Sequence, residues 1–222
     1  DVVVLPNGTI LEFGVLYQVA RFLDIPSVTY EFGDLNAPEI SPDGKTIVFT
    51  RYYLDVDKPT TWLMDRDGTN LRQVIDVRAW DPTWSPDGKQ VLFASDSEGP
   101  VQLYAVGLNG RNPRTVTSLP AIRGRSDWSP FDLIATDQGG PFAHDVYTMN
   151  LDGSALTRLT TGTNAQGVSF SPDGKWIAFT AYTNVAGRDQ TSCEIFIMRT
   201  DGSDVRQLTD NKYCDYQPRW SN

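Results

Sequence analysis

Apolar and polar residues alternate along this chain in short runs, and the runs recur in one order. A first run reads Thr46-Ile47-Val48-Phe49, Gln90-Val91-Leu92-Phe93, Leu133-Ile134-Ala135 and Trp176-Ile177-Ala178-Phe179. A polar stretch follows, then a second run: Trp62-Leu63-Met64, Leu103-Tyr104-Ala105-Val106, Val146-Tyr147-Thr148-Met149 and Ile195-Phe196-Ile197-Met198. Short alternating runs bounded by turn residues read as strands. Asp-Gly pairs punctuate them at 43–44, 67–68, 87–88, 152–153, 173–174 and 201–202. Asp-Gly between apolar runs is a strong hairpin signal, because glycine reaches positive φ without a steric cost.

The order is a repeat. Ser41, Ser85, Ser129 and Ser171 each precede a proline, and Ser221 ends a related stretch, Pro218-Arg219-Trp220-Ser221; successive serines lie 44, 44, 42 and 50 residues apart. Each unit holds four short strands, a to d, with strand d exemplified by Thr157-Arg158-Leu159-Thr160 and Arg206-Gln207-Leu208-Thr209. Four strands in about 44 residues is the period of a propeller blade. The expected fold is therefore all-β: a five-bladed β-propeller of four-stranded antiparallel blades in one domain, 1–222. The blades fall at about 1–36 plus 215–222, 37–80, 81–124, 125–165 and 166–214.

The first blade in that scheme is split. Val2–Leu5 or Thr9–Phe13 would supply strand b, Leu16–Val19 strand c and Val28–Phe32 strand d, while Gln217–Ser221 would supply strand a. A ring closed by N- and C-terminal strands in one blade removes exposed sheet edges. The alternative is a piece of a longer chain with six or more blades. The third unit reads Ser129-Pro130-Phe131-Asp132 without Asp-Gly-Lys, so its a–b hairpin is expected to be about three residues shorter.

The pattern of Trp-Ser-Pro-Asp-Gly-Lys, an apolar strand, and Met-Asp-x-Asp-Gly leading to Arg-Gln-Leu-Thr resembles the TolB-type, WD-like propeller repeat. The resemblance runs over roughly residues 37–221. It implies a propeller fold, an envelope or secreted setting and protein partners. It implies no particular binding residue, because the shared motif is structural.

Composition narrows the chemistry. The formal net charge is -9 and the pI about 4.5, which argues against a nucleic-acid partner. No run is long and apolar enough for a membrane span. His144 is the single histidine, so a His–Cys zinc site is disfavoured and any Ser-His-Asp triad would have to use it. There is no G-x-S-x-G elbow and no Walker loop. The turns Asp65-x-Asp67-Gly68, Asn150-x-Asp152-Gly153 and Arg199-x-Asp201-Gly202 resemble parts of a calcium loop but lack a downstream bidentate glutamate, so they read as turns and no cofactor or metal is expected. The chain is read as a non-enzyme.

Two sets of residues could bind something. Ile40, Trp84, Trp128, Phe170 and Trp220 occupy one position of strand a and read as packing between blades; the residues just before them include Glu39, Asp127 and Arg219, candidates for an axial polar cluster. An acid pair there would suit a glycan-binding or glycoside-cleaving propeller. The b–c and d–a connections vary between repeats and share one face, and variable loops on a rigid scaffold commonly carry function. Candidate binding residues on that face are Arg51, Tyr52, Tyr53, Asp137, Phe142, Tyr182, Arg188, Tyr213 and Tyr216. Cys193 and Cys214 fall in neighbouring loops of the same face, which predicts a disulfide and an extracytoplasmic location. The expected function is a non-catalytic scaffold that binds a protein through this face. A glycan-directed propeller and a structural subunit of a larger extracellular or envelope assembly are the alternatives.

Overall fold

The computed structural model describes residues 3–6, 27–30, 38–52, 58–120, 122–140, 142–184 and 192–220. Sixteen of its strands form four four-stranded antiparallel sheets, each in the order a-b-c-d. The first blade holds β3 (Glu39–Ile40), β4 (Thr46–Arg51), β5 (Thr60–Asp65) and β6 (Arg72–Gln73). The second holds β7 (Trp80–Trp84), β8 (Gln90–Ser95), β9 (Gln102–Gly107) and β10 (Arg114–Thr115). The third holds β11 (Ile122–Trp128), β12 (Leu133–Gly140), β13 (Ala143–Asn150) and β14 (Thr157–Arg158). The fourth holds β15 (Gln166–Phe170), β16 (Trp176–Tyr182), β17 (Cys193–Arg199) and β18 (Arg206–Gln207).

Period-two alternation builds the core between blades. Val91 and Phe93 pack with Val48, Leu63 and Trp84, whereas their neighbours Leu92 and Ala94 pack with Trp128, Ile134 and Met149. The third interface joins Ala135 and Val146 to Phe170, Ile177 and Met198. The b strands β8 and β12 thus face apolar neighbours on both sides, as a stacked sheet requires. Trp84, Trp128 and Phe170 are about 6% exposed, which makes them the packing layer expected. The ends of that series differ: Ile40 is 46% and Trp220 40% exposed.

The Ser-Pro-Asp-Gly-Lys motif is a self-sufficient turn. Ser85 Oγ accepts the amides of Lys89 and Gln90 at 3.1 and 2.9 Å and donates to Asp87 Oδ1 at 2.7 Å, which also accepts Lys89 N–H at 3.0 Å. Ser41 and Asp43 repeat this arrangement, and Ser171 and Asp173 keep its main bonds. The third turn is one residue shorter, not three: Ser129 N–H donates to the carbonyl of Leu133, where Ser85 reaches Gln90. Asp132, at φ 58, takes the left-handed place that Gly88 holds at φ 67. Aspartate is among the residues that tolerate this conformation.

Four blades are described, not the five expected. Of the split blade, Thr9–Phe13 and Leu16–Val19 lie outside the described residues. Its described parts do not form an antiparallel sheet. Val3–Pro6 (β1) and Ser27–Tyr30 (β2) pair with each other in parallel, without the strand c expected between them. Tyr216–Trp220 runs beside the fourth blade without a strand ladder. A ladder needs regular alternating amides, and Pro218 removes one while Gln217 turns the backbone to φ 60. Asp137–Phe142 is also corrected. It is not an open loop: β12 and β13 pair out to Gly140 and Ala143. Gly139 makes this possible, since a Cβ there would lie 2.1 Å from the Ala143 carbonyl oxygen.

Candidate functional site

The inner strands of blades two to four each carry a bulge, between Trp80 and Thr83, Ile122 and Ser126, and Gln166 and Ser169. A bulge adds a residue and redirects side chains. The register that aligns Trp84, Trp128 and Phe170 defines two sets of equivalent positions along the axis. The first set is Glu39, Thr83, Asp127, Ser169 and Arg219, and the second, two residues earlier in each unit, is Asp81, Arg125, Gly167 and Gln217. Asp81, Gly167 and Gln217 share positive φ values of 50, 68 and 60.

The first set contains the three expected axial residues, and the structure brings them together. Asp127 bridges three blades. Its Oδ1 accepts Thr83 Oγ1–H at 3.2 Å and Trp128 N–H at 2.8 Å, and its Oδ2 accepts Phe170 N–H at 2.6 Å. Arg219 Nη2 lies 2.9 Å from Glu39 Oε1, and Trp84 Nε1–H donates to the Glu39 carbonyl at 3.1 Å. Burial pushes the Glu39 carboxyl above the usual carboxylate range; Arg219 opposes this, the Asp127 charge adds to it, and Thr83 and Trp84 oppose it by hydrogen bonding. For Arg219, burial would weaken its hold on the proton, but Glu39, Asp127 and Asp81 together raise it.

Sequence reasoning missed the second set. Arg125 is 6% exposed, and its Nε, Nη1 and Nη2 are buried without a hydrogen-bond partner among the described residues. Burial and the nearby Arg219 both lower its affinity for the proton, against the pull of Asp81, Tyr216 and Asp137. The available signal was the departure from apolar character three places before each aromatic. The same reasoning also missed the His144–Asp137 pair, with Nδ1 and Oδ2 2.8 Å apart and both residues buried. Its members face each other diagonally across the β12–β13 ladder, where Gly139 pairs with His144.

The remaining face residues divide. Asp137 is fully buried, so it is not a surface contact. Arg51 stacks on Trp62 at 4.3 Å, and Tyr182 Oη accepts Gln166 Nε2–H at 3.2 Å. Phe142 and Tyr216 are half-buried. Tyr52 is 40% and Tyr213 65% exposed. Tyr53 and Arg188 lie outside the described residues. Cys193 and Cys214 form the expected disulfide, with Cα atoms 4.6 Å apart.

The disulfide is one part of a braced loop. Glu194 accepts Thr209 Oγ1–H at 2.5 Å and Asn211 N–H at 3.1 Å. Asn211 Oδ1 accepts Tyr213 N–H at 2.7 Å, its Nδ2 donates to Asp215 Oδ2 at 2.6 Å, and Asp215 N–H returns to the Cys193 carbonyl at 2.9 Å. Tyr213 therefore projects from a backbone held at both ends. The Asp-Gly turns at the other face use Asp67, Asp152 and Asp201 to accept the amides of Thr69, Ser154 and Ser203, each at 2.9 Å.

The model of the TolB beta propeller domain family matches residues 24–188. An uncharacterised protein of Agrobacterium fabrum is 31% identical over 191 residues, covering 82% of this chain and 60% of that protein. The Tol-Pal system protein TolB of Anaeromyxobacter dehalogenans is 34% identical over 165 residues, 72% of this chain and 27% of that protein. The solved structure of a putative TolB from Agrobacterium tumefaciens matches with a TM-score of 0.68 at 28% identity, over 83% of this chain and 65% of that one. Proteins described as peptidases resemble the chain as well. The chain spans less than two thirds of the length of the curated relatives named. No helix among the described residues is long and apolar enough to cross a membrane.

Proposed function

This chain belongs to the TolB β-propeller domain family, and we propose that it is a non-catalytic scaffold that binds a protein through the face carrying the b–c and d–a loops. The observation that carries this reading is the braced loop, which holds the 65%-exposed ring of Tyr213 on a backbone fixed by Cys193–Cys214 and Glu194. A rigid, exposed tyrosine gives contact area at small entropic cost, and tyrosine is enriched at binding hot spots. The Tol-Pal system protein among its relatives supports a protein partner. The disulfide supports an extracytoplasmic location, since such bonds persist in oxidising compartments. The reading calls for no metal or cofactor.

We extend the proposal to a five-bladed ring, with the segment around Gln217–Trp220 as its last inner strand. Trp220 N–H reaches Ser169 Oγ at 3.5 Å, as Phe170 N–H reaches Asp127 at 2.6 Å one blade earlier. A glycoside-cleaving axis has less support, because Asp127 accepts three donors and Glu39 is held by Arg219.

The test is capture of partners from a cell-envelope extract by immobilised protein, with cross-linking and mass spectrometry. Wild type and Phe131→Ser, a substitution on the opposite face, should retain one partner that Tyr213→Ala loses at least about tenfold. Equal capture by Tyr213→Ala, or no protein captured alongside saturable sugar binding, would overturn the reading.

A further inference from the structure

The second axial set contains a charge with no hydrogen-bond partner among the described residues. Arg125 is 6% exposed, yet none of its three guanidinium nitrogens has a hydrogen-bond partner among the described residues. Burying a guanidinium without hydrogen-bond partners is costly, so an acceptor from beyond the described residues is called for. Gln217 Nε2 is a second buried donor without a partner among the described residues. Gly167 lies between them. A Cβ built on it would stand 3.8 Å from Arg125 Nη1 and 3.7 Å from Gln217 Cγ. Glycine, at φ +68, therefore leaves a gap about one methyl group wide, walled by two donor side chains from the third inner strand and the C-terminal segment.

We infer that Arg125, Gly167 and Gln217 form an axial site for a singly charged carboxylate. The planar guanidinium offers two parallel N–H groups that match a carboxylate, and the Gln217 amide supplies a third donor from the side. The neighbourhood selects for single charge. Asp81 and Asp137 both act electrostatically on Arg125, so a phosphate dianion would meet stronger repulsion than a carboxylate. A neutral carbonyl would fill the same gap but would leave the guanidinium charge uncompensated. The axial carboxylates do not fill the role: Glu39 is paired with Arg219 and Asp137 with His144, Asp127 accepts its three donors, and Asp81 attracts Arg125 without a hydrogen bond to it. The carboxylate belongs either to a small free acid or to the end or side chain of a peptide. The site is separate from the Tyr213 loop and does not depend on protein docking there.

The experiment is an NMR titration of the purified chain with ¹³C-acetate at constant ionic strength, repeated with a tripeptide bearing a free C-terminal carboxylate and with its amidated form. Wild type should bind acetate or the free-acid tripeptide saturably, and the amidated tripeptide should not bind. Arg125→Met should weaken binding roughly tenfold or more, and Gln217→Leu about threefold. Arg125→Met removes an unpaired buried charge, so its melting temperature in chloride buffer should equal or exceed that of wild type. Gln217→Leu keeps the test open if the arginine variant does not fold. Acetate binding points to a small free acid, and binding of the tripeptide alone points to a peptide. The inference is overturned if neither carboxylate binds, if the amidated tripeptide binds equally, or if affinity is unchanged in both variants.

Discussion

Arg219 and Glu39 form an ion pair at 2.9 Å that ties the C-terminal segment to the inner strand of the first blade. Their side chains are 29% and 17% exposed, so the pair lies between a solvated surface bridge and a dry one. Glu39→Gln or Arg219→Met alone should destabilise the protein by about 1–3 kcal/mol. The double substitution should cost less than the sum, because it strands neither charge. Urea unfolding of the four proteins measures the coupling; strict additivity would show that the pair does not act as a unit. Glu39 holds its proton more tightly folded than unfolded, so its contribution falls as pH rises from 4.5 through the raised value. Glu39→Gln should flatten that part of the pH profile.

Asp127 is the most connected axial side chain. Asp127→Ala removes acceptors from Thr83, from the Trp128 amide and from the Phe170 amide, at 3.2, 2.8 and 2.6 Å. Amides left without partners make such losses expensive, and the expected cost is about 2–4 kcal/mol. Thr83→Ala should cost clearly less, since it removes only one of these bonds. Thermal unfolding of both variants would show it, and equal losses would contradict this account of Asp127.

The Ser-Pro-Asp-Gly-Lys turns should register at acid pH. Ser171 and the Lys175 amide bond to Asp173 and, with the Lys175 ammonium, hold its carboxyl down to about 2 from 3.8. A depressed carboxyl contributes stability that is full above the unfolded value and lost as pH falls through the folded one. Asp173→Asn should therefore reduce the loss of stability between about pH 4 and 2 while slightly lowering stability at neutral pH. Denaturant midpoints across that range provide the measurement. An unchanged acid slope would mean that the turn is not titrating as described.

The Cys193–Cys214 bond closes a separation of 21 residues. Cys193→Ser with Cys214→Ser should cost about 3 kcal/mol by the chain-entropy account. The effect should concentrate in the loop, with faster hydrogen exchange at the amides of Asn211, Tyr213 and Asp215. If those amides exchange as slowly as in wild type, Glu194 and Asn211 hold the loop without the disulfide.

How far the sequence could be read differs between the two kinds of site. Blades were legible because three of the four a–b turns are satisfied by their own Ser and Asp, and the strands follow their own alternation. Such information is local and repeats. The disulfide was legible for a related reason: blade topology alone places Cys193 and Cys214 on one face. Asp137 was misplaced because Gly139 permits a close approach between strands that composition does not announce, turning an expected loop into a ladder. Arg125 was missed because its meaning depends on a bulge that redirects it toward the axis, beside residues contributed by other blades.

By itself, the sequence determined the repeat, the four described blades, the Ser-Pro-Asp-Gly-Lys turns of three of them, the aromatic packing layer and the cysteine pairing. These follow from short-range hydrogen bonding and period-two hydrophobicity, which act within one unit of about 44 residues. Only the tertiary structure decided what lies at the centre. The axis collects one or two residues from each unit, far apart in the chain. Their charges and hydrogen bonds are set by neighbours from other blades, so Asp127 becomes a bridge, Glu39 a partner of Arg219, and Arg125 a buried donor without an acceptor among the described residues.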